Sequence, residues 1–107
     1  MTEINRVILS TVKQWHRSPR AINKGYCFEF ATLIFAKIEG SSICGHNVNG
    51  VGHSYVLYRG LYYDSECPQG TKLWTNLPFW RSIRKQAGEK EWRKALRAFN
   101  AEVRKQR

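Results

Sequence analysis

The sequence predicts an α+β domain in which a central helix packs on a small antiparallel sheet, with further helices at both ends of the chain. Three observations carry this. Helical periodicity appears at the two ends and in one central run. Short aromatic and β-branched segments separated by turn residues lie between them. The length, 107 residues, suits one domain with a modest core. Apolar residues make up 42% and aromatics 13%, enough to exclude disorder for most of the chain.

At the N-terminus, Ile4, Val7, Ile8, Val12 and Trp15 share one helical face, Thr2 suits an N-cap, and Pro19 lies beyond the end. The expected helix runs from Glu3 to His16. Residues 17–24 read as a connector, with His16 a surface or capping residue. Gly25 then releases the chain into a central, largely buried helix over Tyr26–Ile38, with Phe30, Leu33, Ile34 and Ile38 as its stripe and Gly40 as its stop. The Gly-, Ser- and Asn-rich stretch 41–52 reads mostly as loop, with a short strand over Ser42–Cys44. Strands are expected over His53–Tyr58 and Leu61–Ser65, joined by a two-residue turn at Arg59-Gly60. Cys67-Pro68-Gln69-Gly70 reads as a second turn and Lys72–Trp74 as a third short strand. Pro78 suits a helix start, giving a run over Phe79–Gln86 with a break near Gly88. Trp92, Leu96, Phe99 and Val103 then recur at helical spacing in a final helix over Glu89–Lys105, within a basic amphipathic segment 89–107 of the single domain 1–107.

The candidate chemistry begins at Cys27, in Gly25-Tyr26-Cys27-Phe28-Glu29-Phe30-Ala31. A cysteine in the first turn of a helix meets unpaired backbone N–H groups and the positive end of the helix dipole, which favour the thiolate. The same donors can hold a developing oxyanion. Downstream lie His53, in Gly52-His53-Ser54-Tyr55-Val56, and Asp64, the chain's only aspartate, in Tyr62-Tyr63-Asp64. With Arg59-Gly60 as the turn, Tyr55 faces Asp64 across the hairpin. His53, Tyr55 and Asp64 then share one sheet face. Diagonal neighbours of this kind are roughly 7–8 Å apart at the backbone, within reach of two polar side chains. A carboxylate on Nδ1 would leave Nε2 for Cys27: nucleophile, general base and orienting acid. His46 is the alternative base, but it falls in the presumed loop.

These residues also resemble a known pattern. The run Gly25-x-Cys27-x-x-Phe30-Ala31-x-Leu33 is similar to the nucleophile helix of the transglutaminase-like branch of the papain-like cysteine enzymes, and His53-Ser54-Tyr55-Val56 and Tyr62-Tyr63-Asp64 look like that group's histidine and aspartate strands. The resemblance spans residues 25–65, less than half of the chain. It implies a papain-like core, Cys27 as nucleophile, His53 as base, Asp64 as orienting acid and no cofactor. The chain departs from the pattern in a short Cys-to-His interval, in Tyr55 where a tryptophan is usual, and in lacking a glutamine upstream of Cys27. Asn23 is the nearest substitute as oxyanion donor, and Tyr26, Tyr55 and Trp80 are further substrate-contact candidates. Pro78-Phe79-Trp80-Arg81 would line a groove or form a packed turn.

Cys44, His46, His53 and Cys67 are zinc-ligand types, but their spacing fits no common finger, so no metal is expected. Glu66 reads as an outward-facing surface residue. Three cysteines cannot pair completely, and residues 1–6 carry no leader pattern, which together favour a reducing, cytoplasmic setting. No run reaches transmembrane length.

Formal net charge is +10, and from Arg81 to Arg107 ten Lys/Arg oppose three Glu. That favours acidic partners, nucleic acid or an acidic protein, although no nucleic-acid-binding motif is present. Two functions stay open: an intracellular thiol hydrolase or acyltransferase acting on a protein or peptide amide, with hydrolysis, deamidation and transfer undivided, or a non-catalytic basic binding module. Oligomeric state is not encoded in any motif.

Overall fold

Thr2 opens the first helix through a reciprocal capping box with Asn5, and Ile4, Ile8 and Thr11 turn inward along it. The computed structural model describes residues 1–106; Arg107, the last of the C-terminal cations, lies outside the described residues. This helix, α1 (Glu3–Trp15), ends at His16, whose left-handed backbone (φ 51°) forms the cap. The segment expected to be a connector is a second helix, α2 (Pro19–Gly25). Ser18 Oγ accepts from the Ala21 N–H at 3.2 Å, and Pro19 sits in the first turn, where its missing N–H costs nothing. Seven residues are too few to show a periodicity, so the capping chemistry was its only signature.

Tyr26 is the joint between α2 and α3 (Cys27–Lys37). Gly25 is the last residue of α2 and has no positive φ, so it is not the sharp turn anticipated there. Helix α3 buries Phe30, Ala31 and Ile34, with Ile38 just beyond. It is not largely buried, since Phe28 and Phe35 on its other side remain 57% and 46% exposed.

The sheet is a four-stranded antiparallel meander in the order β1-β2-β3-β4. Strand β1 (Ser42–Val48) replaces most of the expected loop. It pairs in unbroken register with β2 (Val51–Tyr58) from Ser42↔Leu57 to Val48↔Val51. The turn is Asn49-Gly50 with both φ positive (53° and 84°), the type I′ geometry that Asn-Gly favours. Arg59-Gly60 makes a second turn of the same kind (50° and 80°) into β3 (Leu61–Asp64), as expected from the sequence.

Cys67–Thr71 is not a turn but an edge strand, β4, with a register irregularity opposite Tyr62 and Asp64. An edge position tolerates Pro68. Gly70 (φ 79°) lies so close to the Tyr63 ring that a Cβ would sit 2.8 Å from it. The actual turn is Ser65-Glu66. Residues Lys72–Trp74 form no strand; a 3-10 turn at Trp74–Asn76 leads into α4 (Pro78–Ala87) and α5 (Glu89–Lys105).

Alternation along the strands feeds two cores. Val56 and Tyr63 join Ile4, Ile8, Ile22, Phe30 and Ile34 under α1–α3. Val48, Tyr55 and Cys67 join Leu77, Trp80 and Trp92 under α4 and α5. The sheet is therefore covered by helices on both faces. Among the described residues no helix is long and apolar enough to cross a membrane.

Because Gly50 has open space around it, a side chain there meets no clash and costs only the backbone strain of a positive φ. Gly50→Val is expected to destabilise the fold by about 1–2 kcal/mol, read as a lower urea midpoint at unchanged slope.

Candidate functional site

Cys27 is the first residue of α3, and no side chain caps that helix end. The Phe30 N–H is the first to bond back, to the Tyr26 carbonyl at 2.9 Å, so the N–H groups of residues 27–29 have no intrahelical acceptor. His53 is carried by β2 and Asp64 ends β3. The Arg59-Gly60 turn places both on the same sheet face, diagonal to one another. His53 and Asp64 are each 3% exposed, and their side chains meet at 2.8 Å.

The contact corrects the expected orientation of the ring. Asp64 Oδ2 engages Nε2, not Nδ1. Nδ1 is buried without a hydrogen-bond partner and is the nitrogen left for Cys27. Asp64 Oδ1 accepts the Glu66 N–H at 2.9 Å, so both carboxylate oxygens are occupied.

The electrostatics follow from this line of three groups. The neighbouring His53 imidazole is the main influence lowering the Cys27 pKa; partial burial opposes it, and the Ser54 and Phe28 backbone N–H groups add to the lowering. Burial alone would depress His53, but the hydrogen-bonded Asp64 carboxylate and the neighbouring Cys27 thiol outweigh that and raise it. The two shifts favour a thiolate–imidazolium pair. The other cysteines behave oppositely: burial pushes Cys44 and Cys67 each up to about 11.

Cys27 lines a half-open cleft of about 560 Å³, between α2, the start of β2 and α4. Asn23 lines it too, but its amide is committed. Nδ2 donates to Glu66 Oε1 at 2.9 Å, and Oδ1 lies 3.0 Å from the Ser65 hydroxyl. Ser65 also donates to the Pro19 carbonyl at 2.7 Å. Glu66, expected to face outward, thus helps lock α2 to the β3–β4 turn. The oxyanion donors available without breaking this network are backbone N–H groups at the start of α3.

Three other candidates lie elsewhere. Tyr26 is 39% exposed, with the Arg17 guanidinium 4.1 Å from its ring centre, outside the cleft lining. Tyr55 and Trp80 are both 0% exposed, core residues with no surface for substrate. The groove-lining residue of the Pro78–Arg81 segment is Phe79, whose ring stacks on His53 with centroids 4.0 Å apart. Trp80 is the contact residue that the sequence predicts; the phase of α4 buries Trp80 and turns Phe79 to the cleft instead.

His46 is in β1, directly opposite His53 in register, not in a loop. Its Nδ1 is bonded to the Tyr55 hydroxyl and its ring stacks on Trp74 at 4.0 Å. It does not line the cleft, and burial lowers its pKa. Among the described residues no group of three or more His, Cys, Asp or Glu is arranged to hold a metal ion.

On α5, Trp92 is buried and Leu96 and Phe99 are half-buried, while Lys90, Arg93, Lys94, Arg97 and Arg104 face outward. Among the described residues, ion pairs on α4 and α5 join only Arg84 and Arg93 to Glu89 and Lys105 to Glu102.

Iodoacetamide is expected to alkylate Cys27 with a pH midpoint below the ordinary thiol range, while Cys44 and Cys67 stay inert at neutral pH. Removing the Asp64 carboxylate takes away what raises His53. The imidazolium then weakens, and Cys27→thiolate conversion moves to higher pH. Asp64→Asn should therefore shift the alkylation profile upward, and His53→Ala should abolish the advantage of Cys27, both read by mass spectrometry of folded protein. Comparison with protein-family models, curated proteins and solved structures finds no match to this chain.

Proposed function

We propose that the protein is a small thiol enzyme, a hydrolase or acyltransferase that works through a thioester on a protein or peptide amide, with a core akin to the transglutaminase-like and papain-like enzymes. The observation that carries this is the ordered line Cys27–His53–Asp64, with Cys27 in the wall of a cleft and the pair buried behind it. A half-buried thiol at an uncapped helix start faces a histidine whose other nitrogen is held by a buried carboxylate. A cysteine serving only the core would not require a desolvated histidine with one unpaired nitrogen beside it.

In this mechanism the Cys27 thiolate attacks the substrate carbonyl carbon and forms the C–S bond. The carbonyl oxygen takes the negative charge and is met by backbone N–H at the start of α3. His53 passes its Nδ1 proton to the departing nitrogen as the C–N bond breaks, leaving a thioester. Water or an amine then attacks the thioester. His53 accepts the proton from that nucleophile, and the Cys27 thiolate leaves. Asp64 stays ionised and accepts the hydrogen bond from Nε2–H throughout, fixing the ring so that Nδ1 faces the thiol. Phe79 covers the ring face and limits water there.

The competing function is a basic binding module, favoured by the exposed cations of α4 and α5. Cys27→Ala separates the two. The enzyme is expected to keep its circular dichroism and thermal midpoint and lose formation of a Cys27 thioester with activated acyl donors, followed by intact mass. His53→Ala should slow acylation by roughly 10²–10⁴-fold. Absence of acylation in the unsubstituted protein, with salt-dependent binding of polyanions that survives Cys27→Ala as its only activity, would assign the function to the basic face instead.

A further inference from the structure

A second concavity, about 360 Å³, lies between the β1–β2 hairpin and α5. Val48 from the hairpin, Trp92, Ala95 and Ala98 from α5, and Ala87 from the end of α4 give it an apolar wall, and Asn49, Glu91 and Lys94 complete the lining. The three alanines matter, because a larger side chain at any of them would fill the space. This pocket shares Val51 and Ile83 with the Cys27 cleft, so the two concavities adjoin at those residues. Their linings differ. At the α2 end Arg20 and Lys24 are exposed, and none of the ion pairs among the described residues involves them. An apolar group therefore gains more by lying toward α5, where it leaves water for an alanine- and tryptophan-lined wall. The volume is in the range of sites that enclose a small organic group.

We propose that this pocket takes the apolar side chain of an extended peptide acyl donor whose reactive carbonyl lies on Cys27. The assignment rests on the thiol-enzyme function proposed above and adds its substrate class: a peptide segment with a bulky aliphatic or aromatic residue on the α5 side of the reacting bond. Binding energy gained in the pocket holds the carbonyl at the thiolate, which lets remote apolar contact raise the rate of the chemical step.

The test uses the folded full chain and a series of N-alkyl iodoacetamides of increasing chain length. Labelling of Cys27 is followed by mass spectrometry, each rate divided by that for glutathione. Once the chain passes Val51 and Ile83, the relative rate should climb by about fourfold per methylene that enters the pocket and should saturate with reagent concentration. Ala98→Trp and Ala87→Trp, both at exposed helix positions, fill the pocket from two sides and should each remove the chain-length gain, read as the ratio of long-chain to unsubstituted reagent. A flat series on a Cys27 that still reacts readily with iodoacetamide itself overturns the pocket assignment and leaves the thiol enzyme standing. A gain that survives in both variants also overturns it, since the chain would then be lying elsewhere. A Cys27 inert to every reagent overturns both.

Discussion

The hydrogen bond between His53 and Asp64 is the constraint on which the site depends. Both groups have left water, and a buried ring or carboxylate without a partner would cost far more than the bond itself contributes. The pairing therefore dictates geometry around it. It requires β2 and β3 to hold one register, because a slip of a single residue would turn one partner to the opposite face of the sheet. The type I′ turn at Arg59-Gly60 sets that register locally. The second carboxylate oxygen, held by the Glu66 N–H, stops the acid from rotating away.

Around this pair the structure divides its labour by layer. The α1–α3 side supplies the cysteine, and the α4–α5 side supplies the cover over the histidine. The sheet lies between them with separate cores on its two faces. The Asn23–Ser65–Glu66 network ties the helix preceding Cys27 to the turn following Asp64, so the two ends of the line are braced against each other. Such a network is satisfied only as a whole, which makes it a positioning device and removes Asn23 from the supply of free donors.

Charge and chemistry are spatially separated. The cations of α5 face outward from a helix whose inner stripe packs on the sheet, so the strongly basic balance is compatible with either an acidic partner or a solvated outer surface without disturbing the cleft. Along the two adjoining concavities the lining changes, with exposed Arg20 and Lys24 near α2 and Val48, Trp92 and three alanines, beside Glu91 and Lys94, near α5. An extended substrate lying across both would meet that change along its length.

The sequence by itself determined the α+β class, α1, α5, the Arg59-Gly60 hairpin and the shared face of His53 and Asp64. These follow from local periodicity, turn chemistry and strand alternation, which need no distant partner. It understated β1 and β4, because Ser, Gly, Asn and Pro are poor strand formers and become strand only when neighbouring strands satisfy their backbone groups. The Asn49-Gly50 turn was legible in principle, but its signal was absorbed into a loop-like composition. Only the tertiary structure decided which imidazole nitrogen faces the acid, since that depends on how the ring packs under Phe79. It also decided that Phe79 rather than Trp80 meets the cleft, that Tyr55 is core, and that Asn23 and Glu66 are engaged with each other. Each of those outcomes is set by the approach of α2 or α4 to the sheet, a long-range packing choice that no run of neighbouring residues encodes.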